Sequence, residues 1–344
     1  MKIAVDIMSG ERSPEILIKG AVEAANKLDI TAILVGEKNI IEQALKTYNY
    51  RKDKITFVHS SEVITMNEIP TIAIKQKPNA SVFVAARLVK DGLADAFVSP
   101  GNTGATFAAA FLNLGRLKGV SRPAILGVMP KVSDKFTVIL DVGANPECKP
   151  IHLVQFAAMG EAYASTVLGI DSPRIGLLSN GTELSKGTDI TQRTYKILKK
   201  LPVNFIGYIE GRDIFSDEVD VAVCDGFTGN IVLKALEGVG KALLNILKSE
   251  INKSALSKLG AIFMMKSFNK IRKKVDYSEY GGAPLIGIDG TCIVTHGSSN
   301  DKEIMNGIKV ASQMLNYQLN KMISNKLKEY HISKMHWFHR EKIS

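Results

Sequence analysis

Short apolar runs rich in Val, Ile, Leu and Ala alternate repeatedly with longer stretches of helical periodicity, and this alternation narrows the fold most. A strand, a helix and a further strand close most readily as a parallel pair with a crossover. Repetition of that unit builds a doubly wound, mainly parallel sheet in an α/β fold. Strands are predicted at residues 2–6, 32–36, 55–59, 94–99, 124–128, 136–141, 174–178, 204–208 and 219–224. Helices are predicted at 14–28, 81–91, 105–114, 150–168, 186–200 and 229–249. No repeat or low-complexity linker divides the 344 residues. Residues 1–320 are therefore expected to form one large catalytic unit that includes a helical hairpin at 250–276, followed by a basic tail at 321–344.

Several classes are excluded at this stage. No apolar run reaches ten residues, against the roughly 18–20 that a membrane-spanning helix needs. The opening MKIAVDIMSG carries Asp6 where a signal peptide keeps an unbroken apolar stretch, so it is read as a first strand. Cys148, Cys224 and Cys292 are widely separated and form no CxxC pair, and there is no HExxH or EF-hand pattern. Neither a disulfide framework nor a metal site is expected, and the expected compartment is a reducing cytoplasm. The net charge of +10 is concentrated: residues 251–275 hold seven Lys or Arg and no acid, and 321–344 hold six against two acids. The rest of the chain is nearly neutral, which is not the pattern of a nucleic-acid-binding domain.

In doubly wound sheets ligands bind at the carboxyl ends of the strands, so the strand-to-helix loops carry the functional signal. These loops are SPGNTGA (99–105), DVGANPECKP (141–150), CDGFTGN (224–230) and, late in the chain, YGGAPLIGIDG (280–290) and HGSSN (296–300). Each mixes glycines with Asn, Ser, Thr or Asp, and backbone amides at a helix N-terminus favour an anion such as phosphate. No loop is specific alone; several at one sheet edge carry weight. GxxxxGK[ST] is absent, and so is GxGxxG after the first strand.

Taken in order, these motifs resemble the phosphate acyltransferase family of bacterial phospholipid synthesis. DIMSGERSP (6–14) is similar to the family opening DAMGGDxxP, with Ser9, Glu11 and Arg12 where the family usually shows Gly, Asp and commonly His. GNTGA, DVGANPECKPIHLVQFA, NFIGYIEGRDIF, VCDGFTGN, SEYGGAPLIGIDG and HGSSN match the later motifs over residues 1–320. SNGTELSKGTD (179–189) keeps Glu183, Lys186 and Gly187 but has Thr182 and Leu184 where acids are usual. The resemblance implies a phosphotransacetylase- and isopropylmalate-dehydrogenase-like architecture, usually dimeric, without metal or organic cofactor. It also implies conversion of an acyl-acyl carrier protein and inorganic phosphate into an acyl phosphate, consumed by a membrane glycerol-3-phosphate acyltransferase.

Phosphate is itself the nucleophile in that reaction, so the protein must supply a phosphate cradle, oxyanion donors and a proton manager. Asn102, Thr103 and Gly104, with Ser298, Ser299 and Asn300, are the best cradle candidates; Asp141, Asn145 and Asn230 are further binding candidates. Lys186 can offset phosphate charge or help the leaving thiolate, Asp225 can orient Lys186 or take a proton, and His296 is the third catalytic candidate. Each has a plainer alternative: Asp225 as a turn residue, Lys186 as a solvated lysine, His296 as a packed histidine, Asp141 and Asn145 as loop-shaping residues. Cys224, inside an apolar run, reads as a core residue rather than a nucleophile.

The basic segment reads separately. Met264, Phe268, Ile271 and Val275 recur at helical spacing, Lys266, Lys270 and Lys273 fall on the opposite face, and Leu259–Met265 is apolar nearly all round, including Ile262 and Phe263. Peripheral contact with a membrane surface accounts for both features; a dimer-interface hairpin with a charged rim is the alternative. Tyr330, Trp337 and Phe338 in the tail offer a second contact. Three functions remain open: the carrier-protein acyltransferase, a phosphotransacetylase using acyl-coenzyme A, and a non-catalytic membrane-surface scaffold.

Overall fold

The computed structural model describes residues 1–275 and 281–332, without the side chains of residues 255, 269 and 271–275. In chain order the strands are β1 (Lys2–Asp6), β2 (Thr31–Gly36), β3 (Ile55–His59), β4 (Ala96–Ser99), β5 (Ala124–Pro130), β6 (Phe136–Leu140), β7 (Ile175–Leu178), β8 (Phe205–Ile209), β9 (Val221–Val223), β10 (Ala283–Ile286) and β11 (Cys292–Val294). The helices are α1 (Pro14–Lys27), α2 (Lys38–Leu45), α3 (Pro70–Gln76), α4 (Ser81–Lys90), α5 (Thr103–Leu114), α6 (Pro150–Thr166), α7 (Asp189–Leu198), α8 (Gly226–Asn252), α9 (Ala255–Val275), α10 (Asp301–Asn316) and α11 (Leu319–Glu329). All nine predicted strands are present within a residue or two. β10 and β11 were not predicted: at four and three residues, flanked by glycines, they carry too little periodicity to read.

The strands join in one sheet of order β3-β2-β1-β4-β11-β10-β5-β6-β9-β7-β8. Helices cover both faces, which explains strands that are apolar at every position instead of alternating. Ile3 and Val5 of β1 enter one core with Leu17 of α1, Phe156 of α6 and Ile308 of α10. Ala4 of the same strand enters the other core, with Phe83 of α4, Ala109 of α5 and Leu233 of α8.

Strand direction decides where the loops go. β1, β2, β3, β4 and β11 are mutually parallel, β10 is antiparallel to both β11 and β5, and β5 is antiparallel to β6. β6, β9, β7 and β8 are parallel to one another and so run opposite to β4. The sheet is mainly parallel but reverses in its middle. The Gly-rich loops consequently leave two opposite edges rather than one. The loops after β1, β4 and β11 share the first edge; those after β6, β7 and β9 share the second.

Two helices differ from expectation in ways that bear on function. α7 begins at Asp189, because Gly187 takes a left-handed φ of +82° and Thr188 caps the helix, so Lys186 stands in the loop before it. α8 is a 27-residue helix, and only Lys253 and Ser254 separate it from α9. The hairpin expected within 250–276 thus draws one arm from α9 and the other from the second half of α8.

Candidate active site

The first edge is built on a buried carboxylate that the sequence reading passed over. Asp6 ends β1; Ser99 Oγ donates to its Oδ2 at 2.8 Å, and the amides of Met8 and Ser9 donate to Oδ1 at 3.1 and 3.3 Å. Asp6 thereby ties the loop after β1 to the end of β4, and Gly101 closes the approach through its amide on Ser99 Oγ at 3.1 Å. A Cβ on Gly101 would stand 2.9 Å from that of Ser9, so glycine is required there. The D-x-x-S spacing after a first strand was the available signal.

The loop after β11 seats against the same edge. The amide of Thr295 donates to Ser99 O at 2.9 Å, and that of Glu11 to Gly297 O at 2.7 Å. His296 is exposed, and its Nδ1 lies 2.7 Å from Ser298 Oγ. The Ser298 amide also donates to Nδ1, at 3.2 Å. Nδ1 is therefore the acceptor and the ring proton is assigned to Nε2, which makes no hydrogen bond among the described residues. Arg12 Nε donates to Ser298 O at 3.3 Å, which brings a guanidinium to this loop. Ser299 is fully buried, and among the described residues its Oγ and Thr295 Oγ1 have no hydrogen-bond partner. Ser299 is thus a hydroxyl beneath the loop, not an exposed ligand.

Several cradle candidates prove to be helix caps. Asn102 Oδ1 accepts from the amides of Gly104 and Ala105 at the start of α5, at 2.9 and 3.3 Å, and its Nδ2 donates to Met66 O. Thr103 and Gly104 are exposed in that first turn. Asn300 caps α10 by accepting from Lys302 and Glu303, and Asp301 and Glu303 add negative charge to that turn. Such a terminus does not favour an anion.

At the second edge Asp141 is saturated. Its Oδ1 accepts from the amides of Ile125, Gly143 and Ala144, and its Oδ2 from Asn145 N and Nδ2, all between 2.7 and 3.1 Å. Burial pushes its carboxyl pKa upward against the pull of these donors. Asn145 is equally committed, donating to Pro123 O and, through its carbonyl, accepting from Gly226 N. Asp141 and Asn145 shape the loop. Asn230 is exposed, and Gly143 lies against it.

Asp225 caps α8, accepting from Thr228 N at 2.8 Å on one oxygen and from Thr228 Oγ1 at 2.9 Å on the other. Each carboxylate oxygen keeps a second lone pair. Lys186, after the neighbouring strand β7, is exposed, and its ammonium makes no ion pair among the described residues. Asn180 Oδ1 accepts from Gly187 N, and Gly181 leaves room beneath Glu183 and Lys186. No hydrogen bond links Lys186 with Asp225 among the described residues. Cys224 is wholly buried, donates through its thiol to Asp141 O and has its pKa pushed well up by burial, so it is no nucleophile.

α5 packs on β11 and α8 on β5 and β6, all on one face, with β10 between them.

Sheet order, reversal and paired helices define an α/β protein of the phosphotransacetylase fold. A solved phosphotransacetylase from Streptococcus pyogenes shares it, with a TM-score of 0.61 at 17% identity, covering 92% of this chain and 94% of that one. The sequence comparisons go further. A family model described as "Fatty acid synthesis protein" matches residues 1–322. The phosphate acyltransferase of Geotalea uraniireducens is 50% identical over 329 residues, 96% of this chain and 95% of its own length. That of Leptospira biflexa is 45% identical over 332 residues, covering 96% and 98%. The chain belongs to the phosphate acyltransferase family, a family of acyltransferase enzymes.

Proposed function

We propose that this enzyme transfers the acyl group of an acyl-acyl carrier protein to inorganic phosphate, releasing acyl phosphate and free carrier protein for phosphatidic acid synthesis. The observation that carries the reading is the first edge, where His296 and the Arg12 guanidinium meet at the loop after β11, which Thr295 N ties to Ser99 O at the start of the loop before α5, beside an unpartnered buried hydroxyl. An oxygen of the phosphate attacks the thioester carbon, a tetrahedral oxyanion forms, and its collapse breaks the C–S bond and expels the thiolate. Preorganised donors stabilise that oxyanion. His296 donates to it or to the phosphate. Lys186 and Asp225 stand at the opposite edge and are assigned to the carrier-protein end of the substrate, where Lys186 offsets negative charge and Asp225 accepts a hydrogen bond, not to the reacting carbon. A long acyl-pantetheine substrate lying along the face of the sheet that carries α5 and α8 would reach both edges.

The α8–α9 hairpin is the proposed contact with a lipid surface and with a second copy. Leu256, Leu259, Ile262, Phe263 and Met264 are exposed, Phe263 to 82%, and the exposed Lys253, Lys258, Lys266 and Lys270 surround them. Phe268 is half-buried. Ile271, Lys273 and Val275 have side chains outside the described residues, and Trp337 and Phe338 lie outside them altogether. Tyr330 offers no surface contact, because α11 packs on α6 and buries it with its hydroxyl on Glu161. No helix among the described residues is long and apolar enough to cross a membrane. The reading is therefore peripheral attachment at the cytoplasmic face, near a glycerol-3-phosphate acyltransferase, with Ile246 and Leu247 on the flank of α8 covered by the same helix of a homodimer.

The test is thiol release from long-chain acyl-acyl carrier protein. Release that requires inorganic phosphate and prefers the carrier protein over acyl-coenzyme A supports the proposal. Preference for coenzyme A makes the protein a phosphotransacetylase, and absence of release with either leaves a scaffold.

A further inference from the structure

The reaction needs a place for the acyl chain. Between the carboxyl end of β5 and α8 lies a cavity of about 500 Å³, lined by Met129, Phe215, Leu233, Leu236, Gly240 and Leu243. Its charged neighbours are already paired: Lys131 Nζ with Asp220 Oδ1 at 2.8 Å, and Glu237 Oε2 with Lys234 Nζ at 2.9 Å. An occupant therefore finds few polar partners and much apolar surface, which suits an aliphatic chain better than a sugar or a nucleotide.

Size and position agree with this. The pocket is open to solvent on one side, with Val239 and Leu243 exposed at its rim, and its volume leaves room for an aliphatic chain. β5 runs parallel to β4 and β11, so its carboxyl end, where the cavity opens, belongs to the edge that carries His296 and Asn102. α5 and α8 share the same face of the sheet. A thioester held at the first edge can thus turn its chain along that face into the cavity. Gly240 is unfavourable inside a helix and lines this space.

We propose that this cavity binds the acyl chain of the thioester and sets the chain length the enzyme accepts, an inference that rests on the acyl-transfer reading. Gly240→Leu adds bulk at the wall of the cavity and favours the helix, so folding is retained. Gly238→Leu, on the exposed side of the same helix with open space around its Cβ, is the control. Two readouts are compared: displacement of a fluorescent C16 fatty acid by palmitate, which needs no catalysis, and kcat/KM with C8 and C16 acyl-acyl carrier protein. Gly240→Leu is expected to weaken C16 fatty-acid binding at least tenfold and to lower kcat/KM for C16 at least tenfold relative to C8, with Gly238→Leu unchanged in both. Equal loss for both chain lengths, accompanied by dissociation into monomers in sedimentation, makes the cavity an interface between copies and overturns the proposal. So does unchanged C16 binding in Gly240→Leu. If the wild type binds fatty acid but turns over no carrier-protein thioester, the acyl-carrier reading fails while the cavity assignment stands.

Discussion

At the scale of single residues, hydrogen-bond saturation separates groups that position from groups that are free to react. Asp141 accepts five N–H bonds and has no capacity left for a substrate. Asp141→Asn would turn an amide N–H₂ toward N–H donors and is expected to lower stability by about 1–3 kcal/mol, read as a lower urea midpoint. Lys186→Ala and His296→Asn remove exposed side chains and should leave that midpoint in place. Each should nevertheless cut phosphate-dependent turnover by roughly 100-fold, the scale of a lost electrostatic or proton-transfer partner; unchanged turnover would remove that residue from the mechanism. Cys224→Ala should retain most activity, and its loss without unfolding would point to a covalent acyl-enzyme instead. Lys186 and His296 stand out as candidates in the sequence because their loops match a family pattern. Arg12 and Asp6 were not, because their importance lies in contacts with Ser298 and Ser99, hundreds and tens of residues away.

At the scale of elements, helix starts explain much of the loop chemistry. Asn102, Thr188, Asp225 and Asn300 all cap helices, as Asn, Asp, Ser and Thr commonly do. The start of α8 is fixed sterically as well: a Cβ on Gly229 would overlap the Asp141 carbonyl. Gly229→Ala should therefore cost about 1–3 kcal/mol, visible in a thermal melt, and displace Asp225 enough to lower kcat. At the other end of the hairpin, each buried apolar side chain can add roughly 1.5–3 kcal/mol of membrane affinity, and each cation near anionic lipid about 1 kcal/mol. The protein should float with anionic liposomes in low salt and detach as salt rises. The double substitution Phe263→Glu and Met264→Glu should abolish flotation while sparing activity in solution; continued flotation with conversion to monomers would make the hairpin a dimer contact.

At the scale of the molecule, a buried charge cluster ties three strands. Lys131 follows β5, Asp220 precedes β9 and Arg174 precedes β7; Asp220 accepts from Lys131 Nζ at 2.8 Å and from Arg174 Nε at 2.9 Å. Burial raises the Asp220 pKa, but the hydrogen bonds from Arg174 and Lys131 outweigh it and bring it to about 2. A depressed carboxyl stabilises the fold above its unfolded pKa of about 3.9. Its contribution, on the order of 2 kcal/mol, is lost as pH falls from about 4 toward 2. His152 adds an earlier step: burial, then Arg122 and Lys149, lower its pKa to about 4, so stability also declines as pH falls from about 6.5. Urea midpoints should drop in two stages on acidification, and His152→Gln should remove the upper one. Asp220→Asn strands the Lys131 ammonium in the core, a loss of about 3–5 kcal/mol.

The amino-acid sequence alone determined the strand and helix alternation, the mainly parallel sheet, the family motifs and the basic apolar hairpin, because each depends on local periodicity or on residue types at short spacing. Tertiary structure decided the rest. β10 is too short to read locally, yet it joins β11 to β5, and the antiparallel β5–β6 pair beyond it reverses the sheet and sends Lys186 and Asp225 to one edge and His296 to the other. Whether Asp141 shapes a loop or binds a ligand depends on Ile125, Gly143 and Asn145 converging on it, and the cavity exists only because α8 crosses the end of β5. Strand direction and hydrogen-bond saturation are properties of chain segments far apart in sequence, and no local pattern encodes them.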